Sequence, residues 1–294
     1  MNDSTTMLLS QFKALADPVR ARLTALCVVA ECSVSELTKV TGQSQPRISQ
    51  HVKQLCAVNL LERFKDGHFV FYRVRNTGVE SAARRRLLAL FPDDEPQFAK
   101  DVAKLRQLRA DDNPALVATT DADRSLHRAL VELTVARPLG DLLDIGCGQG
   151  RVLKLLASRA HRAVGVDIDS GARQLARAEL LLAGTANTTL RQGDMVSLPF
   201  EDNEFDTVIL DDVLIDAKDA AAAIAEAKRI LDPGGRLLLL TSVGDSDIDE
   251  LRQRFAAWVA AAGMRLAPPR SVPTRNPGWL LAVATHADRA TVAA

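Results

Sequence analysis

The sequence predicts two domains of different fold class: an N-terminal α+β module of short helices and a hairpin, and a C-terminal α/β domain with a parallel sheet. The length of 294 residues suits about two domains. Residues 10–78 show short helical patterns followed by two strand-like runs. From Ala115 onward, helical and buried-strand patterns alternate, which is typical of an α/β fold.

Charged, proline-containing turns separate the two patterns, at residues 92–96 and 112–114. We therefore expect the first module over residues 1–78, a helical linker or dimerisation segment over 79–120 and the α/β domain over 121–294. The hydrophobic share of 47% is sufficient for buried cores.

Composition excludes several classes of protein. The 37 basic and 37 acidic residues balance, so the chain has no uniformly basic coat, although a local basic patch is compatible with this count. Aromatic residues make up 4%, too few for a base-stacking platform on single strands. The sequence contains no run of about 18 apolar residues, so we expect no membrane span. The N-terminus lacks the basic region of a secretory signal. Four cysteines do not suggest a disulfide framework in a chain of this length, so we expect a cytoplasmic protein with reduced thiols.

Start and stop signals divide the N-terminal module into helices. Asp17 precedes a proline and can accept hydrogen bonds from the free amides of a first helix. Ser33 and Glu36 have the spacing of a capping box, which opens a second helix that ends at Gly42. Ser44 then caps a third helix. Two helices joined by a short, glycine-containing turn predict a helix-turn-helix.

The third helix and the hairpin after it carry side chains that suit duplex DNA, because glutamine and arginine can read base edges while lysine and serine suit phosphates. Asp66 and Gly67 lie between two strand-like runs and predict a hairpin turn, the wing. Between Lys39 and Arg75, seven basic residues stand against two acidic ones. The candidate DNA contacts are Ser44, Gln45, Arg47, Ser49, Gln50, Lys53, Lys65 and His68. Fold class, side-chain chemistry and charge favour double-stranded DNA over a protein-binding winged helix or a plain three-helix unit.

This module resembles the ArsR/SmtB family of winged-helix repressors over most of residues 10–75. The matching segments are Phe12–Arg20, Val34–Leu37, Ser44–Val52 and the pair Phe71–Tyr72. The resemblance implies a homodimer on a palindromic DNA operator, usually a repressor that a ligand releases. It also implies that His51 supports packing or a phosphate contact.

The module departs from the family at its metal site. Many members hold arsenic or a soft metal through two cysteines, whose positions here fall on Ser33 and Ser35. Serine is a poor ligand for soft metals, so we expect no metal. We interpret Cys27, Cys32 and Cys56 as small buried residues, with a repositioned thiolate site as the alternative.

In the second domain, an apolar strand runs into a glycine loop over Leu142–Gly150. Asp144 precedes the first glycine by two residues. A carboxylate there would repel a pyrophosphate but could accept a hydrogen bond from an ammonium group. Asp167 ends a second strand 23 residues later, a spacing suited to a ribose diol. Asp194 ends a third strand and can accept an adenine amine.

From about residue 125 to 286, the order and the residues of these motifs resemble those of the class I S-adenosylmethionine-dependent methyltransferases, especially the enzymes of ubiquinone and menaquinone biosynthesis. The resemblance implies a Rossmann-like sheet of seven strands, with an antiparallel hairpin formed by Ala267–Val272 and Leu280–Ala284. It assigns the cofactor by position: the methionine part to Asp144, Gly146 and Gly148, the ribose to Asp167, and the adenine to Asp194 with Met195.

The catalytic residues and the methyl acceptor are not identified by any motif. Cys147 is interpreted as a loop filler, and Asn276–Trp279 as a turn between the last two strands. Methyl transfer can rely on proximity and alignment, so this does not exclude catalysis of a small-molecule methylation. Three hypotheses stay open: a regulator with an active methyltransferase domain, a regulator that only senses S-adenosylmethionine or S-adenosylhomocysteine, and a thiol- or metalloid-responsive repressor.

Overall fold

The computed structural model describes residues 3–66, 69–75, 81–92, 95–112, 121–244, 246–275 and 277–287. The chain divides into two compact units, one of residues 1–115 with 181–186 and one of residues 116–180 with 187–294. Among the described helices, none is long and apolar enough to cross a membrane.

The first unit contains six helices and a small antiparallel sheet within its described residues. The helices are α1 (Asp3–Leu15), α2 (Pro18–Val29), α3 (Val34–Thr41), α4 (Gln45–Ala57), α5 (Ser81–Leu88) and α6 (Pro96–Asp112). The strands are β1 (Cys32–Ser33), β2 (Leu61–Asp66) and β3 (Phe69–Val74), in the order β1-β3-β2. Strands β2 and β3 pair in register from Leu61 opposite Val74 to Asp66 opposite Phe69, so the predicted wing strands are present.

The helix boundaries follow the predicted capping residues. Asp17 accepts a hydrogen bond from the backbone of Arg20 over 2.9 Å at the start of α2. Both bonds of the Ser33 capping box are made at the start of α3, and Gly42 ends that helix with φ +72°. Ser44 occupies the predicted cap position of α4, although its side chain makes no capping hydrogen bond.

The helix-turn-helix packs on an apolar core. Leu23, Leu37, Ile48 and Leu55 are fully buried, one from each of α2 and α3 and two from α4. These positions recur at helical spacing, so each helix turns one face inward and leaves the other to solvent. The predicted winged helix-turn-helix is confirmed.

Both helices of the predicted segment 79–120, α5 and α6, belong to the first unit. Asp101 on α6 forms a two-bonded ion pair with Arg22 on α2, with distances of 2.7 and 2.8 Å. Lys104 on α6 donates to the carbonyl of Val40 on α3 over 3.1 Å. These described parts of the segment are therefore integral to the first unit.

The second unit alternates strands and helices. The strands are β4 (Asp141–Ile145), β5 (Arg162–Asp167), β6 (Thr188–Gln192), β7 (Phe205–Asp211), β8 (Leu231–Ser242), β9 (Met264–Leu266), β10 (Arg270–Val272) and β11 (Trp279–His286). The helices are α7 (Asp121–Ala136), α8 (Arg151–Leu156), α9 (Ser170–Leu182), α10 (Ala220–Ile230) and α11 (Ile248–Ala261). The sheet order is β6-β5-β4-β7-β8-β11-β10, with β9 also paired to β11. Strands β4 to β8 are parallel and β11 is antiparallel, which confirms the Rossmann-like fold and the terminal hairpin.

The described sheet has eight strands rather than the predicted seven. Instead of the expected single strand Ala267–Val272, two short strands pair with β11: β9 ends just before Ala267, and β10 forms the last part of the expected strand. Pro268 and Pro269 lie between them. Proline has no backbone N–H for the ladder, which explains why the strand is interrupted there.

Alternate residues of each central strand pack on opposite faces of the sheet. Leu142 lies in a core with α7 and α8, whereas Leu143 lies in the core formed with α10 and α11. Both faces are covered, as expected for a parallel sheet. Strand order reverses at β4, whose neighbours are β5 and β7, so the crevice at its carboxyl end is the expected ligand site.

Candidate functional site

The predicted DNA-contacting side chains form one solvent-exposed surface on α4. All six of its members are exposed: Ser44, Gln45, Arg47, Ser49, Gln50 and Lys53. They alternate with buried residues such as Ile48 and Val52, which attach the helix to the core. Lys65 is exposed near the end of β2, whereas His68 and Gly67 lie outside the described residues.

His51 belongs to the inner side of α4. It is 9% exposed, and neither ring nitrogen has a hydrogen-bond partner among the described residues. Of the two roles expected for His51, its burial favours packing over a phosphate contact.

The cysteines of the first unit do not form a recognisable metal site. Cys27 and Cys32 are buried and Cys56 is half-buried, all as free thiols. A hydrogen bond with Cys32, followed by burial, raises the pKa of the Cys27 thiol well above its ordinary value. Because the thiolate is the form that binds metal, this environment disfavours binding. In the described part of the chain, no group of three or more His, Cys, Asp or Glu is arranged to hold a metal ion.

The glycine loop after β4 has the backbone that only glycine adopts readily. Gly146 and Gly148 have φ values of +71° and +50°. A Cβ atom on Gly146 would lie 2.3 Å from Cγ1 of Val213, whereas one on Gly148 would meet no atom within 4 Å. Gly148 also donates its backbone N–H to Oδ2 of Asp167 over 2.8 Å. The loop and the end of β5 are therefore in direct contact, with open space above Gly148.

Asp144 is a buried acid at the end of β4. It is 1% exposed, and its Oδ1 has no hydrogen-bond partner among the described residues. Burial, and then the charge of Asp211, raises the pKa of Asp144 well above its ordinary value, while Arg151 opposes this shift. A buried acceptor without a partner is costly unless a ligand supplies a donor.

The predicted adenine side of the site lies beyond β6. Asp194 is exposed and accepts from the backbone of Val196 over 3.2 Å, and Met195 is half-buried. Two exposed apolar side chains, which sequence reasoning missed, follow the strand-end acids: Ile168 is 66% exposed and Val196 is 43% exposed. The available signal was an apolar residue directly after Asp167 and shortly after Asp194.

A second missed feature adjoins the glycine loop. Arg151, the first residue of α8, lies 2.7 Å from both carboxylate oxygens of Asp211 at the end of β7. Its guanidinium lies 4.3 Å from the ring of Trp279 on β11. Asp212, which follows Asp211, has φ +57° and accepts hydrogen bonds from the backbone N–H and the hydroxyl of Ser242. No local motif joins these residues, because β7, α8 and β11 are distant in sequence.

Comparison with known families divides the chain in the same way. Residues 17–63 match the model of bacterial regulatory proteins of the arsR family, and residues 143–239 match that of the methyltransferase domain. The chain joins an arsR-type helix-turn-helix to a methyltransferase domain. The arsR-type match contains the whole exposed surface of α4 and ends before Lys65. The methyltransferase match contains Asp144, Asp167, Asp194 and Asp211 and ends before Trp279.

Each of three curated relatives matches less than half of this chain. An uncharacterized 37.1 kDa protein in transposon TN4556 of Streptomyces fradiae is 38% identical over 138 residues, which are 46% of this chain and 38% of the relative. A demethylmenaquinone methyltransferase of Symbiobacterium thermophilum is 32% identical, over 39% of this chain and 47% of that protein. A ubiquinone/menaquinone biosynthesis C-methyltransferase of Paraburkholderia phymatum is 38% identical, over 39% and 50%. The chain thus spans half or less of the length of these relatives.

Proposed function

We propose that this chain is a transcriptional repressor that binds duplex DNA through α4 and the wing, and whose methyltransferase domain binds S-adenosylmethionine and methylates a small molecule. The observation that carries the proposal is the presence, in one chain, of an exposed polar face on α4 and of a buried acid beside a glycine loop, whose Oδ1 has no hydrogen-bond partner among the described residues. The first suits the major groove, and the second suits a ligand with an ammonium group.

On DNA, the α4 surface supplies both kinds of contact. Gln45 and Arg47 are placed in the first turns of the helix, which in helix-turn-helix proteins reach base edges. Lys53 and, on the wing, Lys65 suit phosphates. The alternative of a protein-binding winged helix would not require this combination of base-reading and phosphate-binding side chains.

A homodimer is the form that suits a palindromic operator. Its interface is proposed on α1 and the turn after α5, where Leu9, Phe12 and Leu90 are 45%, 46% and 70% exposed. These apolar side chains are unusual on a solvent-facing surface and would be buried by a second copy. A monomer in light scattering at working concentration would contradict this part of the proposal.

We propose that the cofactor binds the second unit through the acids and glycines predicted from the sequence. The buried Oδ1 of Asp144 would accept the ammonium of the methionine part, close to the loop of Gly146 and Gly148. Asp167 would accept the ribose diol. Asp194 would accept the adenine amine, with the exposed Ile168 and Val196 beside the adenine ring, as apolar side chains often line such pockets. The match to a methyltransferase domain supports S-adenosylmethionine as the ligand.

Methyl transfer to the acceptor is proposed to depend on alignment. The cofactor supplies an activated methyl group, and the protein's part is to hold the acceptor in line and to exclude water. Arg151 directly follows the glycine loop, pairs with Asp211 and lies against the ring of Trp279, and we propose that its guanidinium orients the acceptor.

A second candidate is a sensor that binds the cofactor, or S-adenosylhomocysteine, without turnover. It is favoured by the contacts of the two acids at and after the end of β7. Asp211 forms an ion pair with Arg151, and Asp212 accepts a hydrogen bond from the hydroxyl of Ser242. Neither acid is then positioned as a ready general base. Because alignment alone can suffice, this observation does not displace the first candidate.

Two experiments separate these functions. Incubation of the purified chain with methyl-labelled S-adenosylmethionine and a cell extract tests turnover, and transfer of label to a small molecule supports the enzyme. DNA titrations with saturating S-adenosylmethionine, and separately with S-adenosylhomocysteine, test sensing. Superimposable titrations would contradict the sensor, and no salt-dependent DNA binding would contradict the regulator.

A further inference from the structure

Ion pairs and one hydrogen bond to a backbone carbonyl connect α6 with the hairpin strands of the first unit. Arg109 near the end of α6 donates from Nε to Oε1 of Glu36 over 2.7 Å, and from Nη2 to the carbonyl oxygen of Glu31 over 2.6 Å. Glu31 accepts from Nη1 of Arg73 on β3 over 3.0 Å. Arg73 also donates from Nε to Glu62 on β2 over 2.6 Å. We call these five residues the α6–wing network.

Each end of the α6–wing network holds an element of the candidate DNA surface. Glu36 is the acid of the α3 capping box, and its Oε2 accepts from the backbone of Ser33 over 2.7 Å. The arginine of α6 thus holds the start of the helix-turn-helix. At the other end, Arg73 holds Glu62 on the strand that carries Lys65. One network therefore ties the helix-turn-helix and the wing to the same helix.

Burial makes the geometry of this network strict. The side chains of Glu31, Arg109 and Arg73 are 4%, 6% and 11% exposed, so water screens their interactions weakly. Burial alone would lower the pKa of Arg109, but the charge of Glu36 and other neighbours raises it, so the guanidinium remains charged. Its planar fork bonds two elements at once, which the point charge of a lysine does not reproduce.

We infer that Arg109 is a positioning residue for DNA recognition, which sets the wing relative to the helix-turn-helix through Glu36, Glu31 and Arg73. The inference rests on the proposed DNA contacts of α4 and Lys65. Arg109 lies 73 residues from Glu36 in sequence and outside the matched arsR-type segment, so this role belongs to the described extension α6.

The chain offers a matched control on the same helix. Asp101 of α6 pairs with Arg22 of α2 through two bonds, and its side chain is 4% exposed. This ion pair holds α6 with similar burial and charge, but it contains no residue of α3 or of the hairpin. The variant Asp101→Asn therefore weakens the attachment of α6 without removing a member of the α6–wing network.

The test measures binding of the full chain to a duplex of random sequence over a series of salt concentrations. The variants are Arg109→Met, Arg109→Lys, Asp101→Asn, Lys65→Ala and the double variant Arg109→Met/Lys65→Ala, each checked for folding by circular dichroism. We expect Arg109→Met to weaken binding by about 2- to 30-fold. We also expect its salt dependence to decrease by about one phosphate contact, as it does for Lys65→Ala. Adding Lys65→Ala to Arg109→Met should then have no further effect.

The salt dependence separates positioning from a merely structural role, because a less stable but correctly shaped protein keeps its number of phosphate contacts. An unchanged slope in Arg109→Met, with a full additional effect of Lys65→Ala, would overturn the inference, as would an equal slope change in Asp101→Asn. If Arg109→Met does not fold, the same criteria are applied to Arg109→Lys, which keeps the positive charge but loses the planar guanidinium that bonds Glu36 and Glu31 together. Absence of DNA binding by the unaltered chain would instead refute the proposed function.

Discussion

The two candidate sites differ in how far apart in the sequence their residues lie. The DNA surface occupies one face of α4 and one exposed strand position, within residues 44–65. The candidate methyltransferase site, with its proposed cofactor and acceptor sides, collects side chains from the ends of β4, β5, β6 and β7 and from β11, over residues 144–279. A helix face depends on local periodicity, whereas a sheet edge depends on strand order. Changes in backbone packing should therefore damage the second site more than the first.

The largest effect is expected at Gly146. In Gly146→Ala, the left-handed backbone costs about 1–2 kcal/mol, and the collision of the new Cβ with Val213 at 2.3 Å adds about 1–3 kcal/mol. We expect a loss of unfolding free energy equal to their sum, and loss of cofactor binding.

Gly148→Ala is the matched control, because its φ is also positive but a Cβ there meets open space. It should show the backbone cost alone. Denaturant titration of both variants measures the difference, and equal destabilisation would mean that Val213 moves aside freely.

The next largest effect concerns the ribose contact. Asp167→Ala should weaken S-adenosylmethionine binding by about 1.5–3 kcal/mol, because the diol loses a charged acceptor. Calorimetry measures this directly. Asp169→Ala is the control, since Asp169 is an exposed acid two residues away. If both variants bind like the unaltered chain, the ribose assignment is wrong.

On the DNA surface, Arg47→Ala tests base reading. It should cost about 1–3 kcal/mol on a site selected from a random library if Arg47 reads a base edge. Lys53→Ala, on the same exposed face, should weaken selected and random DNA alike and reduce the salt dependence. Equal losses for Arg47→Ala on both kinds of DNA would reassign it to a phosphate.

The pH dependence of cofactor binding sharpens the contrast with this solvent-exposed surface. The raised pKa of Asp144 extends to higher pH the range in which the free protein keeps this carboxyl neutral, whereas an ammonium ligand favours the carboxylate. Binding should then release a proton. Affinity should rise with pH, by at most about 1.4 kcal/mol per pH unit, until the pH exceeds the raised pKa.

Asp144→Asn should bind weakly and without this dependence. Calorimetry in two buffers of different ionisation enthalpy counts the released proton. The free energy of unfolding should change with pH in the opposite direction to the affinity. The neutral form of Asp144 stabilises the fold below the ordinary pKa, and this contribution is lost as the pH rises through the raised pKa. An affinity that does not change with pH would contradict the role of Asp144.

The sequence could predict what depends on local patterns. Capping residues, helix faces and the glycine loop were all accessible, because each is defined within a few residues. The Arg151–Asp211 pair and the α6–wing network were not, because long-range packing brings their members together. Pro268 and Pro269 lie within the expected strand and could have indicated its interruption, but the prediction of that strand rested on the resemblance alone.

The smallest effects are expected at two serines that look alike in sequence. Ser33 accepts from the backbone of Glu36 and completes a capping box, so Ser33→Ala should lower the unfolding free energy by about 0.5–2 kcal/mol. Ser44 holds the same position before α4 but makes no capping bond, so Ser44→Ala should change stability by less than about 0.5 kcal/mol. A serine that leaves its cap unused is instead available to a phosphate, so Ser44→Ala should still weaken DNA binding. Thermal unfolding together with DNA titration distinguishes the two residues. A stability loss at Ser44 as large as at Ser33 would show that Ser44 caps α4 in solution and that its hydroxyl is not reserved for DNA.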